Sequence, residues 1–230
     1  MFQSSMNISL AAALLLGGTA PLFAQTVPPA TPEQVNALID VLKSDAAQKE
    51  KADACRQLAV IGTKEAVPAL AALLADEKLS HMARYGLEPI PDPSVDVALR
   101  ASLDKLKGRQ LAGVIGSIGV RRDAQAVAPL VRFLKDADPD VAKTAAKALG
   151  KIATPEAVAA LKENLAVESA PLRAAVANGC LGCAESLLAQ GKRAEAAAIY
   201  DSVAKAELPK HFRIAAAQGA ILARQPAAGK

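Results

Sequence analysis

Apolar side chains fall at helical spacing along almost the whole chain. Val35, Leu38, Ile39 and Leu42 share one helix face, and Ala54, Cys55, Leu58 and Ile61 share another. Thr31-Pro32-Glu33-Gln34 opens the first helix, with Thr31 as N-cap, Pro32 at the first helical position and Gln34 completing a capping box. The same spacing predicts helices over about 46–61, 65–75, 78–87, 95–106, 109–118, 124–135, 139–152 and 155–165. Gly62 stops the first of these. Glu88-Pro89-Ile90-Pro91-Asp92-Pro93 breaks the pattern, because three alternate prolines cannot continue a helix. No stretch alternates with period two in β-branched residues, so essentially no sheet is expected.

A short motif recurs on this helical pattern: Ala66-Val67-Pro68-Ala69-Leu70, Ala126-Val127-Ala128-Pro129-Leu130 and Ala157-Val158-Ala159-Ala160-Leu161. A divergent copy, Val95-Asp96-Val97-Ala98-Leu99, fills the gap. Leu70, Leu99, Leu130 and Leu161 fall 29, 31 and 31 residues apart. Self-similarity of this period marks a solenoid of helical hairpins, each burying its apolar face against its neighbours. In the best copy, Val141, Ala145, Ala148, Leu149 and Ile152 form the buried stripe of the second helix.

That copy reads Asp138-Pro139-Asp140-Val141, then Ala145, Ala148, Leu149 and Gly150. It resembles a HEAT repeat of the bacterial type, similar to the HEAT-like modules of phycobilisome lyases. The resemblance covers about 31–165, closely at 119–165, loosely at 46–76, and with a degenerate unit at 88–118. From Gly179 the run Ala184, Gly191, Ala196, Tyr200 and Val203, with Pro209 near its end, resembles a tetratricopeptide (TPR) repeat. Together these imply an all-α fold: a right-handed α-solenoid of HEAT-like hairpins ending in a TPR-like pair and a capping helix. The expected organisation is a signal peptide at 1–24, a linker at 25–31, HEAT-like repeats at 32–178, TPR-like helices and cap at 179–224, and a tail at 225–230.

The leader assignment rests on an apolar run at Ile8–Leu16 and the small-residue ending Leu22-Phe23-Ala24. Gly17, Gly18, Thr19 and Pro21 interrupt the run before it reaches the roughly 20 residues that a membrane span needs. An exported protein, periplasmic or secreted, with no integral membrane segment after leader removal, is therefore expected. Residues 25–107 carry 10 basic and 12 acidic side chains, whereas 108–230 carry 17 and 11. The basic bias suits an anionic partner and is too weak to argue nucleic-acid binding. Beyond the leader only Tyr85, Phe133, Tyr200 and Phe212 are aromatic, and there is no Trp. A base-stacking or sugar-stacking site is thereby disfavoured.

Few residues offer chemistry. Lys143, Lys147 and Lys151 recur every four residues and line one helix face. HEAT resemblance puts that face on the concave side, and Arg109 and Arg173 on adjacent second helices would extend it into a basic groove for an acidic segment of a partner protein. The alternative is ordinary solvation of a polar face. Cys180 and Cys183 fall one turn apart on the inward side, in line with Leu187, as small packing groups; a local disulfide, or a redox or metal pair, are the other readings. Ala184 stands where a c-type haem site requires His. His81 precedes Met82 and His211 precedes Phe212, so the His-Glu pairs of iron-binding HEAT hydroxylases do not occur.

Gly113, Gly116 and Gly119 near Lys107-Gly108-Arg109 lack the Gly-Lys-Ser/Thr run of a phosphate loop. Gly113 and Gly116 are expected to permit close helix packing, and Gly119 to end its helix. Arg84 is placed to face Glu88 one turn on, and Arg121-Arg122-Asp123 to lie in a turn. No catalytic residue, metal ligand set or cofactor is assigned. The sequence thus favours a non-catalytic exported scaffold that binds a protein partner, with a lyase-like enzyme built on HEAT repeats, or a structural subunit of an envelope complex, as alternatives.

Overall fold

The computed structural model describes residues 31–225. The expected leader, most of the linker and the tail beyond Gln225 lie outside the described residues. The rest is helical throughout: α1 (Pro32–Lys43), α2 (Gln48–Ile61), α3 (Val67–Ala72), α4 (Ser80–Leu87), α5 (Pro93–Ser102), α6 (Gly108–Arg121), α7 (Val127–Arg132), α8 (Pro139–Ile152), α9 (Pro155–Glu163), α10 (Ala170–Ala189), α11 (Arg193–Lys205) and α12 (Lys210–Arg224). Short 3₁₀ turns bracket α3 and α7 on both sides.

Local chemistry sets the helix starts. Thr31 and Gln34 form the expected reciprocal cap: the Gln34 amide N–H donates to Thr31 Oγ1 and the Thr31 N–H to Gln34 Oε1. Asp92, Asp138 and Thr154 also cap α5, α8 and α9 through their side chains, each followed by proline at the first turn. Such a side-chain oxygen satisfies an N–H that has no partner inside the helix, for about 1 kcal/mol.

The helices pair as α1/α2, α3/α4, α5/α6, α7/α8 and α9/α10. Successive second helices stack in one layer, α2 on α4, α4 on α6, α6 on α8 and α8 on α10. The leucines of the recurring motif, Leu70, Leu99, Leu130 and Leu161, are each fully buried. On the second helices Leu58, Leu87, Ile118 and Leu149 are fully buried as well. Each such side chain contributes roughly 1.5–3 kcal/mol relative to exposure, and the ladder runs unbroken from repeat to repeat.

Three expectations need revision. The boundary at 178/179 falls inside α10, one continuous helix of 20 residues. The fifth hairpin is therefore complete, and α10 also serves as the first partner of α11, with α12 packed against both. Gly119 does not end a helix: α6 continues to Arg121 and turns at Arg122, whose φ is 54°. A side chain at Gly119 would place Cβ 2.8 Å from Ala148 Cα, so its role is close approach of α6 to α8. Arg121 lies within α6 and holds the proline segment. Its guanidinium donates to the carbonyls of Glu88, Ile90 and Asp92 and pairs with Asp96.

Candidate binding face

The second-helix layer exposes one side, and α8 presents the lysine row there. Lys147 and Lys151 are exposed, while Lys143 pairs with Asp140 at 2.6 Å. The Lys143 ammonium holds the Asp140 carboxyl below its ordinary range, with Lys147 adding to the effect. Lys147 and Lys151 are thus the two cations of the row without an ion-pair partner among the described residues.

Glycine contacts fix the register of the neighbouring helices. Gly119 of α6 meets Ala148 of α8, and one repeat later Gly150 of α8 meets Gly179 of α10. Both partners advance by the same repeat length from one seam to the next. The positions that match Lys143, Lys147 and Lys151 are therefore Ala112, Gly116 and Val120 on α6, and Ala174, Asn178 and Gly182 on α10. Short, uncharged side chains flank the row on both sides, and Asn178 is the one polar group among them. The lysines stand as a single-helix ridge rather than a continuous basic groove.

Arg109 and Arg173 do not extend that ridge. Arg109 sits at the start of α6 and turns toward α4, donating to the Glu77 carbonyl at 3.1 Å. Arg173 sits at the start of α10 and donates to the Glu168 carbonyl in the preceding loop at 3.2 Å.

Cys180 and Cys183 are free thiols, and both are buried in α10. The Cys183 thiol faces the Gly150 carbonyl at 3.5 Å. Burial pushes both thiols up to about 12. A thiol held that far from its thiolate is a poor nucleophile and a poor metal ligand. No group of three His, Cys, Asp or Glu side chains is gathered to hold a metal among the described residues.

Two features of the amino-terminal half lay outside the sequence reading. Val60, Tyr85 and Val120, from the carboxyl-terminal halves of α2, α4 and α6, are 79%, 56% and 50% exposed. They border one shallow groove with Ala59, Glu88 and Pro89. At the opposite end of the same three helices lies a polar cavity around Arg84. Arg84 does not pair with Glu88, whose carboxylate instead accepts from the Ser117 hydroxyl at 2.6 Å.

The fold and this face define a class: an α-solenoid of stacked helical hairpins with its second-helix layer exposed on one side. Residues 97–181 match the family of HEAT repeats, and the match runs across 178/179 into α10. Among solved structures, the chain is similar to a designed armadillo repeat protein in complex with a (KR)4 peptide. That pair shares 20% identity over 84% of this chain and 100% of the other, with a TM-score of 0.51. It is also similar to the CpcE–CpcF complex of phycocyanin lyase from Nostoc sp., at 21% identity over 85% of this chain and 77% of that one, TM-score 0.44. None of the curated proteins matches the chain. Among the described residues no helix is long and apolar enough to cross a membrane.

Proposed function

We propose that the protein is a non-catalytic scaffold, exported to the periplasm or beyond, that holds an acidic segment of a partner protein on its second-helix face. The lysine ridge of α8 carries this reading. Lys147 and Lys151 project without carboxylate partners among the described residues, and the short side chains on α6 and α10 let a partner chain approach close to the helix backbone on either side. The ridge alone supplies modest attraction, since exposed charges are screened over about 8 Å at physiological salt. Binding through it is therefore expected to weaken steeply as ionic strength rises.

Capture of partner from an envelope extract by the chain beginning at Gln25 tests the proposal, alongside polarisation binding of a labelled glutamate-rich peptide. Reversal of Lys143, Lys147 and Lys151 to Glu is expected to abolish both. Peptide binding and capture that persist unchanged after the triple reversal overturn it. Export is tested separately by sequencing the amino terminus of the protein recovered from the envelope, where a start at Gln25 is expected.

A further inference from the structure

The cavity around Arg84 has a polar chemistry of its own. It encloses about 320 Å³ between the amino-terminal ends of α2, α4 and α6. Gln48 comes from α2, Ser80, His81 and Arg84 from α4, and Arg109 and Gln110 from α6. Its lining sets the cations Lys78, Arg84 and Arg109 against one carboxylate residue, Glu77.

Two donors of these side chains are buried with no partner among the described residues. Ser80 is 6% exposed, and among the described residues neither its hydroxyl nor the buried Nε of Arg84 makes a hydrogen bond. Groups of this kind are ordinarily satisfied, and each exception asks for an explanation. Arg100 and Arg121, also half-buried, follow the rule: Arg100 pairs with Asp123, and Arg121 with Asp96 and three carbonyls. Burial works against the charge of Arg84, and Glu88, already engaged by Ser117, is the carboxylate that offsets it.

Gly113 of α6 is what leaves room for this guanidinium. A Cβ there would lie 2.7 Å from Arg84 Nε and 2.8 Å from Cζ. A planar guanidinium fork beside a free hydroxyl matches the two oxygens of a carboxylate, which accepts both N–H bonds in parallel. We propose that this cavity is a carboxylate site, with Arg84 and Ser80 as its donors and Gly113 as the residue that admits them.

The source of the carboxylate is either a free small acid or an acidic side chain of a bound segment. Only the second source rests on the partner-binding reading above.

Imidazole NMR provides the readout, because the chain has two histidines. His81 lines the cavity and His211 on α12 serves as the internal reference. The protein is titrated with succinate, with a blocked peptide carrying one glutamate between two leucines, and with inorganic phosphate. Succinate or the peptide is expected to shift His81 saturably and leave His211 in place. Affinity is expected to fall at least tenfold in Arg84→Gln and in Gly113→Ala, and to stay unchanged in Lys147→Glu. Gly113→Ala keeps the test sound if Arg84→Gln misfolds, because it displaces only the end of a flexible side chain.

A peptide at least tenfold tighter than succinate assigns the carboxylate to a partner segment; equal affinities assign it to a free small acid. Non-saturating shifts, equal effects on both histidines, indifference to both variants, or tighter binding of phosphate overturn the site. The succinate arm needs no partner, and the lysine reversal leaves the cavity intact, so failure of this site and failure of the scaffold reading register separately.

Discussion

The α8–α10 and α4–α6 seams are built from the same layer of second helices, yet they close differently. At α8–α10 two glycines face each other: a Cβ on Gly150 would stand 2.7 Å from Gly179 Cα, and one on Gly179 2.7 Å from the Ala146 carbonyl oxygen. Backbone meets backbone, and no space remains. At α4–α6 Gly113 faces the end of an arginine side chain instead. There α4 is only 8 residues long, cut short by Pro89 and Pro91. The helices stand apart and a polar cavity opens. A glycine on a solenoid seam thus does opposite things according to what it faces. Against backbone it seals the stack, and against a side chain it leaves a site.

The largest effect expected from this contrast is at the sealed seam. Gly179→Ala forces a methyl against the α8 backbone, with Leu161 methyls 3.2 Å away closing the other escape. Overpacking of this kind typically costs about 1–3 kcal/mol, and rigid backbone on the receiving side puts this case at the upper end, about 3 kcal/mol. That is a large part of the roughly 5–15 kcal/mol that holds an ordinary domain together. Urea denaturation followed by circular dichroism measures it. Loss of less than about 0.5 kcal/mol would mean that the α8–α10 seam is looser than its geometry.

The same seam carries a smaller, pH-dependent effect. The folded pKa values of Cys180 and Cys183 lie at about 12, above the ordinary 9.0. A thiol whose pKa is raised by folding stabilises the fold fully below its unfolded value, and that stability drains as pH rises toward the folded one. Stability is therefore expected to decline from about pH 9 toward pH 12, and the decline to be shallower in Cys183→Ala. In native protein near neutral pH both thiols are expected to react slowly with iodoacetamide and rapidly after denaturation. Fast alkylation of the native protein would contradict the burial of this seam.

Which parts of this comparison are legible in the sequence follows from what each depends on. The cap at Thr31 is local, and so are the leucines that close each motif; spacing alone reveals them. The second half of the fifth hairpin is hidden for a physical reason. α10 is covered by α8, α9, α11 and α12, so its sequence has too little polar face to mark a period, and Gly179 in its middle resembles a break. Arg84 shows the complementary failure. Its neighbour Glu88 sits at ideal helical spacing, yet Ser117, a repeat away, takes that carboxylate. The lysine ridge is visible as a ridge, but its isolation depends on the register that Gly119 and Gly150 set between helices.

The smallest expected effect sharpens the contrast most. Gly113→Ala swaps one interior glycine of α6 for alanine, the same chemical change as Gly179→Ala. Here the atoms in the way are Nε, Cζ and Nη2 of Arg84, the end of a side chain with several free torsions. Replacing an interior helical glycine with alanine favours the helix by about 0.5–1 kcal/mol. Moving the unbonded Arg84 head outward sacrifices no hydrogen bond of that group among the described residues. The balance is expected to lie between no change and a gain of about 0.5 kcal/mol, read by the same urea denaturation as Gly179→Ala. Two identical substitutions on one layer of helices would then differ in sign. If Gly113→Ala instead destabilises by about 2 kcal/mol or more, on the order of an overpacked core, Arg84 is locked in place by the protein itself. The cavity would then be a packing feature of the proline-broken repeat.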